Sequence, residues 1–167
     1  MTSDPRIYVV DQDHAIASWR NVYISIWRRN PSAERLRNLR SLTSRFLRET
    51  TGPVFAIVLV EEKCPVPDDA GRQHSVAFIR DLSPRASCIV LVFEGTGFMA
   101  AASRAVMVGL MSAAQFVIPY KVMQNVAEAE RFLESTSPQQ APARGTLPAA
   151  VESIRSRISD FTIEQHP

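Results

Sequence analysis

Four residues with reactive or metal-binding side chains share the stretch "KCPVPDDAGRQHS": Cys64, Asp68, Asp69 and His74. A thiol next to an imidazole is the pairing from which a nucleophile and its general base are made, with a carboxylate to orient the base. The same donors could ligate a metal, but their spacing fits no zinc pattern. Cys64 precedes a proline in a loop rich in turn-forming residues, where cysteines and histidines are usually incidental. The sequence therefore assigns no catalytic residue, no metal ligand and no cofactor. A thiol enzyme built on the loop from 61 to 75 is the third of three functional expectations. His14 falls at a turn and His166 near the C-terminus, both positions where a histidine is solvated.

A second chemical possibility lies in "FEGTGFMAAASRAVMVGLMSAAQF". Gly-Thr-Gly at a strand-to-helix junction offers backbone amides to an anion, and Thr96, Gly97 and Arg104 are its candidate contacts. The stretch lacks the lysine of a phosphate loop and the third glycine of a dinucleotide fingerprint, so a tight turn explains it as well. It is not a membrane span, because Arg104 interrupts it and a strand pattern follows within the roughly 20 residues a span needs. Gly97, Ala101, Ala105, Gly109 and Ala113 recur every fourth residue. That row keeps one side of a helix thin, so that the sheet or another helix can approach closely. Met99, Met107 and Met111 add adaptable apolar surface, expected in the core.

The arginines are the remaining polar feature. Arg37, Arg40 and Arg48 fall on one side of the helix that follows "NPSAERL", a candidate contact for an acidic protein. The chain has 167 residues and a net charge of only +2, so bulk charge makes no case for nucleic acid. Two cysteines make no disulfide framework, and the N-terminus has no basic-then-apolar leader pattern. A cytoplasmic location is the expectation.

The elements that must position these residues alternate. "RIYVV", "HAIASWR" and "VYISIWR" predict an antiparallel opening of strands. Asn30 as cap and Pro31 as first helical residue begin a helix whose apolar stripe is Leu36, Leu39, Leu42, Phe46 and Leu47. "VFAIVLVEE" and "SCIVLVFE" predict buried strands, separated by the polar loop and a short helix, "HSVAFIRDL". "FVIPYKVM" predicts an edge strand and "NVAEAERFLES" a helix capped by Asn125. The prolines of "STSPQQAPARGTLP" mark residues 136–148 as a linker. Residues 149–167 form a tethered amphipathic helix and tail, with Val151, Ile154, Ile158 and Phe161 on one face. Docking at home, pairing in a homodimer and entering a partner's groove are the three fates of that face.

The segment "RAVMVGLMSAAQFVIPYKVMQNVAEAERFL", with Glu128, Ala129, Phe132 and Leu133 in its closing helix, resembles the end of bacterial STAS-like domains, the SpoIIAA-like group of anti-sigma factor antagonists. The likeness covers about residues 5–135, within an expected domain of 1–135, and lies in element order and hydrophobic pattern. It implies an α/β fold with a mixed central sheet. It also implies a non-enzymatic regulatory or scaffolding role through a protein partner of unknown identity, a homodimer included, with no nucleic acid and no membrane span. Members carry a phosphorylated serine in an Asp-Ser pair after the first buried strand. This chain has no such pair there, and Ser75, at an expected helix start, is the nearest phospho-acceptor candidate. STAS-like folds are also similar to lipid carriers of the CRAL-TRIO kind. Binding of a small apolar or lipid ligand between helix and sheet is therefore the second functional expectation.

Overall fold

The structure, a computed structural model, describes residues 4–113 and 117–164; the side chains of Met99, Leu110, Ala113 and residues 161–164 lie outside that description. It is a mixed α/β fold in which six strands form one sheet in chain order, β1 to β6. The first three are Arg6–Val10 (β1), His14–Trp19 (β2) and Val22–Trp27 (β3). They run as an antiparallel meander. From β3 onward the pairing is parallel, through Val54–Val60 (β4), Ala86–Phe93 (β5) and Tyr120–Met123 (β6). Parallel neighbours need crossovers, which are α1 (Ala33–Glu49), α2 (Asp69–Leu82) and α3 (Phe98–Ala113). Two further helices, α4 (Val126–Thr136) and α5 (Thr146–Glu164), follow β6.

Alternation along the strands divides the core in two. Ile16, Tyr23, Trp27, Ala56, Ile89 and Leu91 face α1, α2 and Met111 of α3. Ala17, Ile24, Ile57 and Val90 face α4 and α5. Because the strands follow one another without reversal, all three crossovers lie on one face, and the other would be bare without the last two helices. Leu147, Val151, Ile154 and Ile158 of α5 are fully buried there. Each such side chain contributes about 1.5–3 kcal/mol.

Local chemistry moved several predicted boundaries. Ser32, not Asn30, caps α1, its Oγ accepting from Arg35 N at 3.3 Å. The cap of α2 is Asp68, accepting from Gly71 N at 2.7 Å, so that helix begins five residues before His74. Gly71 lies within its first turn, where a Cβ would come 2.8 Å from Pro67 Cβ. α5 starts at Thr146, with Pro148 in its first turn, where a missing N–H costs nothing. The segment between α4 and α5 is thus shorter than the predicted linker of 136–148. β6 starts after Pro119, at the sheet edge; the Phe116 end of the predicted strand lies outside the described residues.

Candidate functional site

Ligands of parallel sheets collect at the carboxyl ends of the strands. In this fold that edge is formed by Trp27, Val60 and Phe93, the last residues of β3, β4 and β5. The loop after β4 and the N-terminal half of α3 stand over it. β4 has a neighbour on each side, yet Val58 and Val60 remain only partly buried on the face that α1, α2 and α3 cover. The reason is a gap between the helices. An apolar cavity of about 70 Å³ lies there, floored by Val58, Val60 and Phe93 and walled by Trp27, Leu36, Val66 and Met107. Outward it continues into a polar cleft bordered by Glu61, Glu62, Lys63 and Glu94.

The polar groups of this edge are mostly committed to one another. Arg28 Nε lies 2.8 Å from Glu61 Oε2, and Arg155 of α5 reaches Glu61 at 3.5 Å and Glu94 at 2.6 Å. This chain of charges ties the ends of β3, β4 and β5 to α5. Burial pulls the Arg155 guanidinium down, but its hydrogen bonds and charge contacts with Glu94 and Glu152 outweigh that and hold it above its ordinary range.

On the opposite side of the edge, the turn between β1 and β2 gathers a second set. Arg35 donates to Asp11 at 2.9 Å and to Asp13 at 2.8 Å. His14 is buried, not solvated as expected: it is only 3% exposed and stacks on Trp27 with ring centroids 5.1 Å apart. Burial raises the Asp11 carboxyl, but hydrogen bonds from Asp13 and His14 and the His14 charge outweigh it, and the net direction is down.

The loop residues that suggested thiol chemistry do not assemble. Asp68 is occupied as a helix cap, and Asp69 pairs with Arg72. The Cys64 thiol donates to the Pro65 carbonyl at 3.7 Å, and no hydrogen bond joins it to His74 among the described residues. Burial, with the nearby charges of Glu61 and Asp13, pushes that thiol up to about 12, where it is a poor nucleophile at neutral pH. Among the described residues no group of three or more His, Cys, Asp or Glu is placed to hold a metal.

Ser75 is not a capping residue at a helix start. It sits in the second turn of α2, its hydroxyl donating to Gly71 O at 3.0 Å, half-buried at the cavity wall. The helix-dipole argument for a phosphate there lapses with that position. In the Gly-Thr-Gly turn, Gly95 and Gly97 have φ of +99° and +88°, backbone that favours glycine, so the turn itself accounts for both. Arg104 points back at the carbonyls of Phe93 and Gly95, at 3.5 and 3.4 Å, and Thr96 is exposed.

The small-residue row runs opposite to expectation. Gly97, Ala101, Ala105 and Gly109 lie on the exposed side of α3, and a Cβ on Gly109 would meet nothing within 4 Å. Met111 alone reaches full burial among the described side chains of the helix, with Met107 at the cavity. Phe98 is 84% exposed, Val106 and Val108 nearly half exposed, and Val117, in the connection to β6, 99% exposed. Of the five large apolar side chains exposed among the described residues, only Val66 lies elsewhere, and it borders the cavity. Arg104, the one charge of α3, turns inward, so this outer face carries none.

The remaining candidates separate clearly. Arg40 is paired with Asp81 at 2.8 Å, whereas Arg37 and Arg48 are exposed without an ion-pair partner among the described residues. Val151, Ile154 and Ile158 are buried in their own domain and so unavailable to a partner; the Phe161 side chain lies outside the described residues. Among the described residues no helix is long and apolar enough to cross a membrane. No family model, curated protein or solved structure matches the chain.

Proposed function

We propose that this chain is a non-enzymatic binding module of STAS-like type, regulatory or scaffolding in role, whose contact surface for a protein partner is the outer face of α3. The observation that carries this reading is the cluster of Phe98, Val106, Val108 and Val117, exposed on and beside a helix with no outward charge. Exposed apolar side chains gathered on one element point to a protein contact more than ones scattered singly do. The glycines and alanines between those side chains let a partner's backbone approach closely. A second copy of the chain is one form such a partner takes. The test compares wild-type bait with Val108→Asp, a change at a partly exposed position that costs the helix less than about 1 kcal/mol. A specific protein, or self-association, present with wild type and lost in the variant supports the reading; identical behaviour of the two overturns it.

A second reading has its own observation, the incomplete cover over Val58 and Val60. The cavity there is apolar, and at about 70 Å³ it has room only for a very small apolar ligand or the tip of a lipid chain, below the roughly 300 Å³ of ordinary ligand pockets. Mass spectrometry of organic extracts from purified protein tests it: a stoichiometric apolar compound, displaced when Val60→Trp fills the space, supports the reading, and a clean extract contradicts it.

A further inference from the structure

We propose that His14 is a proton sensor that sets the position of Trp27, the aromatic wall of the apolar cavity. Three observations combine. His14 is 3% exposed, on the sheet face that α1 covers, and its ring stacks on Trp27 at 5.1 Å with 19° between planes. Its Nδ1 lies 3.0 Å from Asp11 Oδ1, whose carboxyl it helps to hold down, while Nε2 has no hydrogen-bond partner among the described residues. Trp27 in turn lines the cavity.

These facts pull the proton in opposite directions. The Asp11 carboxylate favours a positive imidazole, and the indole face adds a cation–π attraction. Against this, protonation places an N–H on Nε2 in a buried position without an acceptor, a costly arrangement. The charged ring is therefore satisfied only if it turns or if water enters, and the side chain stacked against it must give way. Charged and titratable groups reach this corner from each neighbouring element. Asp11 and Asp13 come from the turn before β2, Arg29 follows β3 at 3.4 Å from Asp13, and Arg35 of α1 bridges both aspartates. The loop after β4 contributes Cys64, within the field of Asp13 and Glu61, which stays a neutral thiol. The fixed charges are ion-paired, and imidazole is the kind of side chain used as a proton switch near neutral pH.

The test needs no ligand and so stands or falls apart from the ligand reading. The chain has two tryptophans, and Trp19→Phe leaves Trp27 as the single reporter. Its emission is titrated from pH 8 to 5 in the full chain, with and without His14→Gln. The expected result is one sigmoidal change in intensity and wavelength that is lost in the double variant. A flat curve, or the same curve in both proteins, overturns the proposal. If His14→Gln does not fold, NMR of the wild-type chain decides: the His14 ring and the Trp27 indole N–H must shift with one shared midpoint. Separate midpoints, or a His14 ring that does not titrate in this range, overturn it equally.

Discussion

Cys64 illustrates how environment overrides residue type. In the sequence it is the most reactive-looking side chain, in a loop with a histidine and two aspartates. In the fold its thiol is neutral and held up to about 12 by burial and two nearby carboxylates. Alkylation by iodoacetamide should therefore keep accelerating with pH through 9 and 10, whereas an ordinary cysteine levels off above roughly pH 8.5. A plateau near 8.5 would mean that the loop is open. Glu130 is the converse, an unremarked residue with a structural task. It is 6% exposed, and its carboxylate accepts from Gly145 N at 2.8 Å and Leu147 N at 3.0 Å, capping the start of α5. Glu130→Ala leaves those two amides without their acceptor and should cost about 1–3 kcal/mol in urea unfolding. The clue was present in the sequence: Val126, Ala129, Glu130 and Leu133 are spaced as an apolar stripe, and a glutamate in such a stripe needs buried donors. His14 gave no such clue, because its burial depends on Trp27, which the register of β2 on β3 sets beside it.

Among the elements, those with strong periodicity were legible. The strand alternation of β3, the continuous apolar β4 and β5 and the stripe of α1 all fold as their patterns require. Helix beginnings were less legible, because Asp, Pro and Gly serve loops and first turns alike. "PDDAG" reads as loop, yet Asp68 caps α2 and Gly71 is required by the close approach of Pro67. α5 was legible as an amphipathic helix, but periodicity cannot say which surface an apolar face meets. That surface is the sheet face opposite the crossover helices, which fixes α5 as part of the domain core. Ile154→Ala should lower stability by about 2–5 kcal/mol, like other large-to-small core changes. Deleting 146–164 should yield a protein that binds hydrophobic dye and loses cooperative unfolding. A truncated chain that unfolds as cooperatively as the full one would show that α5 is dispensable.

At the scale of the molecule, the two faces of the sheet are covered unequally. α4 and α5 seal one, and α1 and α2 seal most of the other. α3 stands over the remainder with Met107 and Met111 inward and Ala101, Ala105, Val106, Val108 and Gly109 outward. The sequence shows the small-residue row plainly. It cannot show which way the row points, since an apolar helix without a charged face has no periodic signal to orient it. The outward direction turns a feature of packing into the proposed contact surface and leaves the cavity beside Val58 and Val60 open at the same edge.

The most direct test is photo-crosslinking in cells from the outer face of α3. A photoreactive amino acid is placed at Val106 or Val108, and at Arg157 on the exposed side of α5 as control. The α3 surface predicts a discrete adduct, with another protein or with a second copy, from positions 106 and 108 and none from 157. No adduct from α3, or the same diffuse pattern from all three positions, would contradict it.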